Sequence, residues 1–203
     1  MSEKISPHIR QTEERVRKLC EGCADFVIRS MFLGKENRVE CLVVYIEAAV
    51  SNMMLEDSVI GKFLNHLWEM GAGSILETAE ENGLGISDMK ELASMEEAMA
   101  AMLAGNAVLF LDGYDRGLKI GSKGYPGMGV SKADSEKVLR GSREAFSESV
   151  KINTALVRKR LRTTALKVEE HFLGEESNTL LSLVYIENLA YPSLLEEIRQ
   201  RLG

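Results

Sequence analysis

Apolar positions along the chain fall in short blocks that switch between strand and helix periods. Phe26 to Leu33 and Val39 to Glu47 read as two strands. Val27, Ile28, Val43, Val44 and Ile46 supply β-branched content, and Gly34 to Asn37 supplies the turn. Ser6-Pro7, a capping hydroxyl followed by a proline suited to the first helical position, predicts a helix ahead of them that runs to about Leu19. After the strands, Leu55, Val59, Ile60, Phe63, Leu64 and Leu67 recur at helical spacing, with a glycine-bearing stretch from Gly71 to Gly85 beyond. Met95, Ala98, Met99, Met102 and Leu103 form another helical stripe closed by Gly105, a pattern of adaptable core. Ala107 to Leu111 is the apolar run of a central, doubly covered strand. Asp112-Gly113 marks a turn, and Gly117 to Ile120 a short partner strand.

Gly121 to Gly129 carries four glycines and Pro126, the composition of a linker, and a domain boundary is expected just past it. Beyond it the pattern predicts a helix over Ala145 to Arg162, strands near Leu166 to Leu173 and Thr179 to Glu187, and a last helix from Pro192.

The second half repeats the first. Phe32-Leu-Gly-Lys-Glu-Asn and Val44-Tyr-Ile-Glu47 reappear as Phe172-Leu-Gly-Glu-Glu-Ser and Val184-Tyr-Ile-Glu187, both at an offset of 140 (172 − 32 and 184 − 44). Over residues 32–47 and 172–187, eight of sixteen paired positions are identical. A period this long indicates a copied domain, not a solenoid unit. The expected fold is therefore α/β: two related small subdomains, each a mixed β-sheet flanked by helices. The first spans 1–133, with the glycine-rich linker at its end. The second, 134–203, repeats the helix–strand–strand–helix of 8–68 and is incomplete, because no counterpart of the Ala107 to Leu111 strand follows. Such a half-domain exposes a sheet edge. It implies either a piece of a longer protein or completion by a neighbouring chain.

Composition narrows the function classes. A formal charge of −6 offers no general attraction to nucleic acid or anionic lipid. The longest apolar runs fall far short of the roughly 20 residues of a membrane-crossing helix, and Met1 to Arg10 has no apolar signal core. A soluble, cytoplasmic chain is expected. Cys20-Glu-Gly-Cys23 has a C-x-x-C spacing, yet His8, His66 and His171 are not paired at ligand spacing, so small residues at a helix end are expected and no metal or cofactor. The motifs of serine hydrolases, zinc peptidases and P-loop NTPases are missing, and no catalysis is expected.

Glu136-Lys-Val-Leu-Arg140-Gly141-Ser142-Arg143-Glu144-Ala145-Phe146-Ser147-Glu148, followed by Asn153-Thr-Ala-Leu-Val-Arg158-Lys-Arg160-Leu-Arg162, resembles the signature of the GerA family of spore germination proteins. Asp25-Phe-Val-Ile-Arg29 is similar to a family segment ahead of its first sheet, and the serine after Gly141 is similar to the stage V sporulation AF branch. The resemblance implies the N-terminal soluble region of a receptor A subunit on the spore-core side of the inner spore membrane. Its implied partners are the membrane domain of the same full-length protein, B and C subunits and further copies of itself. A role in sensing, transmission and assembly follows, with Arg140, Gly141, Arg143, Asn153, Arg158, Arg160 and Arg162 as candidate assembly residues. On a helix, Arg158 and Arg162 share a face that could take phosphate, a lipid headgroup or an acidic partner, or simply be solvated beside Glu144 and Glu148. A second reading is a small-ligand domain that holds an amino acid or nucleoside germinant in the cleft between the two copies.

Overall fold

The computed structural model describes residues 3–34, 38–49, 69, 74, 89–121 and 144–202. The helix expected around Leu55 to Leu67, most of the glycine-rich linker and the boundary at 133/134 lie outside the described residues. Helix α1 (Ile9–Leu19) leads into the hairpin β1 (Phe26–Leu33) and β2 (Val39–Ile46), which ends in a single 3-10 turn, Glu47–Ala49. Then come β3 (Met89–Leu92), α2 (Met95–Leu103), β4 (Ala107–Leu111) and β5 (Gly117–Ile120). The later part consists of α3 (Val150–Arg160), the hairpin β6 (Leu166–Leu173) and β7 (Thr179–Ile186), and α4 (Pro192–Leu202).

The first five strands form one sheet in the order β1-β2-β4-β5-β3, and β6 and β7 form a second sheet of two. All strand pairs are antiparallel, where a mixed sheet was expected. The short hairpins β1–β2 and β4–β5 impose this direction, since parallel neighbours need long crossovers. β4 sits in the middle of its sheet, and every residue of it is buried, as its continuous apolar run requires. Helices α1 and α2 cover one face, so that Ile9, Val16, Met95, Ala98 and Met102 meet Leu42, Val44, Val108 and Phe110 in the core. The methionine stripe is thus core packing. Strand β3 was not foreseen: Met-Lys-Glu-Leu is too short to show a period and is held by its pairing with β5.

Two helix starts differ from expectation. Helix α1 begins at Ile9, and His8 at its N-cap makes no side-chain cap bond. The Asp112 carboxylate accepts from the Ile9 N–H at 3.0 Å instead, while the Ser6 hydroxyl accepts from the His8 N–H at 3.1 Å. The cap comes from the far end of β4, where no local signal could reveal it. Helix α3 begins at Val150, not Ala145. Its N-cap is Ser149, whose hydroxyl accepts from the Ile152 N–H.

The two hairpins coincide in register. Phe26 pairs with Ile46 and Leu33 with Val39, while Leu166 pairs with Ile186 and Leu173 with Thr179, every position shifted by 140. Gly34 and Gly174 both leave the first strand at positive φ (94° and 83°), a conformation open to glycine. The Glu47 N–H donates to the Asp25 carbonyl, and the Glu187 N–H to the Ala165 carbonyl, again 140 residues on.

On the second hairpin, Glu169 accepts from the Tyr185 hydroxyl at 2.7 Å and from Arg199 of α4 through Nε at 3.0 Å. Chiefly through the Arg199 bond, its carboxyl is held down to about 2. A depressed carboxylate contributes stability that is present above its ordinary value near 4.5 and lost as pH falls through the folded value. The pair is partly exposed, which keeps the effect small. Glu169→Gln is expected to lower the Tm by roughly 1–3 °C at pH 7. The gap to the unsubstituted chain should close as pH drops from 4.5 toward 2 in thermal scans, and a gap independent of pH would refute the assignment.

Candidate functional site

The joint between the two hairpins is built around one buried ion pair. Asp25 stands immediately before β1, and Arg158 lies in the last turn of α3. Arg158 is 0 % exposed and Asp25 5 %. The guanidinium meets the carboxylate in a two-pronged contact, Nε to Oδ2 at 2.8 Å and Nη2 to Oδ1 at 2.9 Å. Its remaining arm, Nη1, donates to the Thr163 carbonyl at 2.6 Å, and its carbon lies 5.6 Å from the centre of the Phe26 ring. A planar fork that satisfies a carboxylate and a carbonyl together, against an aromatic ring, is a task for arginine and not for lysine. Burying both charges is tolerable only because each finds its partner.

Backbone and side chains around the pair extend the joint. The Ala24 N–H donates to the Val168 carbonyl at 2.8 Å, and the Val168 N–H to the Gly22 carbonyl at 2.9 Å. Residues 22–24 thereby bridge to β6 in a parallel step at Cys23 and Val168. Lys167 Nζ donates to the Glu21 carbonyl at 2.7 Å and lies 3.3 Å from Glu187. Gly22 has φ +70°, and the methylene chain of Lys167 lies where a Cβ would stand, 3.3 Å away. Lys151 at the start of α3 reaches Glu47 at 2.8 Å. The short segment from Glu21 to Asp25 is therefore held by the second hairpin along its whole length.

The expected site residues separate into three groups. Arg140, Gly141 and Arg143 lie outside the described residues. Asn153 is a local clasp: its Oδ1 accepts from the Ser147 N–H at 2.7 Å and its Nδ2 donates to the Ser147 carbonyl at 2.8 Å, fixing how the chain enters α3. Arg158, expected on a face shared with Arg162, is in the core. The helix ends at Arg160, so Arg162 turns away and folds its Nε back to the Lys159 carbonyl. Arg160 and Lys159 both reach Glu144 at 2.8 Å. The open cationic face expected of Arg158 and Arg162 does not form, because the buried carboxylate of Asp25 captures the first of them. Sequence reasoning had Asp25 and Arg158 in separate motifs without pairing them. The available signal was that each is a charge embedded in an apolar block.

Cys20 and Cys23 are buried free thiols at the joint, with Cys23 Sγ 3.4 Å from the Leu166 carbonyl. Burial pushes the Cys20 thiol up to about 12, which removes thiolate character at neutral pH. Among the described residues no cluster of His, Cys, Asp and Glu has the arrangement of a metal site. No helix among them is long and apolar enough to cross a membrane. A cavity of about 910 Å³ does occur, but it is bounded by α3 and β7 inside the second unit, with Phe146, Val157 and Val184 on its walls, and not by the first sheet.

Removing one partner of a buried pair strands the other charge. Arg158→Ala should therefore destabilise the chain by about 3–5 kcal/mol in urea unfolding, and Arg158→Lys by a substantial part of that. In a double-mutant cycle with Asp25→Asn, the two losses should fall well short of additive. Additive losses would show that the contact carries no coupling.

The comparisons with known proteins come down on one family. The family model described as "Bacillus/Clostridium GerA spore germination protein" matches residues 14–203. The chain is 36% identical over 198 residues to the uncharacterized membrane protein YfkQ of Bacillus subtilis, covering 98% of this chain and 38% of that protein. It is 26% identical over 198 residues to spore germination protein KA of the same organism, covering 98% and 36%. Against stage V sporulation protein AF of that organism, identity is 34% over 123 residues, covering 61% and 25%. The chain thus spans about two fifths or less of the length of these curated relatives. Among solved structures, the N-terminal domain of the A subunit of the Bacillus megaterium spore germinant receptor GerK3 matches with a TM-score of 0.73 at 23% identity, over 100% of this chain and 73% of that one. With the family model covering nearly its whole length, the chain belongs to the GerA spore germination protein family.

Proposed function

We propose that this chain is the N-terminal, non-catalytic module of a germinant-receptor A-type subunit, and that it transmits and assembles instead of performing chemistry. The observation that carries this reading is the Asp25–Arg158 joint. A buried, geometrically specific ion pair between two sheet-bearing units makes them move as one, so a displacement at either is passed to the other. Interior packing resists continuous deformation, which favours transmission of discrete rearrangements. Membership of a family of spore germination proteins supports the setting. Under this reading the module stands on the spore-core side of the membrane, attached to a membrane domain of the same protein, with B- and C-type subunits and further copies as partners.

The ligand reading predicts an amino acid or nucleoside between the two units. That place is filled by the ion pair and by the bridge from Cys23 to Val168, which leaves the direct joint dry and closed. We favour transmission for that reason. In spores carrying the full-length protein, Arg158→Lys should slow nutrient-triggered loss of optical density several-fold while protein levels, read by immunoblot, stay within about half of normal. Arg160→Glu, on the exposed face, should germinate near the normal rate. Equal germination by Arg158→Lys and the unsubstituted protein would contradict the role, as would a thermal-shift rise with millimolar amino acids that Arg158→Lys abolishes.

A further inference from the structure

The internal repeat says what the second unit lacks, and where. β2 and β7 are register counterparts at an offset of 140. β2 uses both edges: β1 pairs along one, and β4 along the other over Cys41–Val44, with Val43 opposite Leu109 and Val44 opposite Val108. Seven of the eight β2 residues are buried, whereas no residue of β7 is. Among the described residues, β7 pairs with β6 alone.

The face beside α3 is open in the same way. In the first unit α2 follows β2 in the chain and packs with α1 over Leu42 and Val44. In the second unit the matching positions, Ser182 and Val184, border the 910 Å³ cavity under α3. Ser182 Oγ is shut off from solvent there without a hydrogen-bond partner among the described residues. Phe146, on the cavity wall, is 68 % exposed.

From this we infer that the β7 edge and the cavity beside it are a docking surface for one strand and one helix of the same polypeptide, supplied from beyond Gly203. The strand pairs antiparallel along Leu181–Val184, as β4 does along Cys41–Val44. The helix fills the cavity as α2 fills its counterpart. Chain order favours this occupant, since α2 and β4 both come after β2 in the first unit. Length agrees: at the same offset the counterpart of Leu111 falls at position 251, 48 residues past Gly203. The solved GerK3 domain leaves roughly 75 of its residues unmatched (203/0.73 − 203), room enough for both elements. Backbone pairing supplies affinity at such an edge, and the alternating side chains set the register. The inference stands on the repeat and is independent of the signalling role.

Hydrogen exchange followed by mass spectrometry tests it, comparing the 203-residue chain with the full-length protein in detergent. Exchange in the peptide over residues 179–186 should slow by about tenfold or more in the full-length protein, while the peptide over residues 39–46 changes little. Light scattering on the 203-residue chain provides the second readout. A monomer with fast exchange at β7 agrees with the inference. A dimer already protected at β7 makes a second copy the occupant and overturns it, and so does exchange at β7 that is equally fast in both proteins.

Discussion

A single buried contact fixes the arrangement of this molecule: the Asp25 carboxylate held by the Arg158 guanidinium, both removed from water. Neither charge could be buried alone, so each unit places its half only if the other is present. The contact also locates three neighbouring features. The Asp25 carbonyl receives the Glu47 N–H that closes the first hairpin, residues 22–24 bridge to Val168, and the Thr163 carbonyl takes the last arm of the arginine. The turn after α3 and the entry to β1 are thereby tied to one point.

Much of the fold was legible because hydrophobic periodicity is local. β1, β4, β5 and β6 fall where their apolar runs end, and Gly105 at φ +89° closes α2 as its position implies. The repeat was legible too, since the sixteen compared positions lie in the hairpins that coincide in register. Whether two copies arose from one ancestor, and whether 1–133 and 134–203 are separate folding units, is a reading that the shared register supports.

What the sequence concealed depends on distant partners. The Asp112 cap on α1, more than a hundred residues away, leaves no trace near Ser6-Pro7. Arg158 looked like part of a solvated basic run because helical spacing reveals which residues share a face, but not which face is buried. Its neighbours Lys159 and Arg160 do lie toward solvent, with Glu144 between them. One position within the Arg-Lys-Arg run therefore serves the core and two serve the surface, and only the location of Asp25 decides between them.

The central claim is that this ion pair couples both units, so its removal must be felt on each side. Residue-level hydrogen exchange of the Arg158→Ala chain, compared with the unsubstituted chain, reads this directly. The account predicts that amides at residues 22–26 and at residues 166–168 lose protection together and by similar factors. Loss confined to one of the two segments would contradict it.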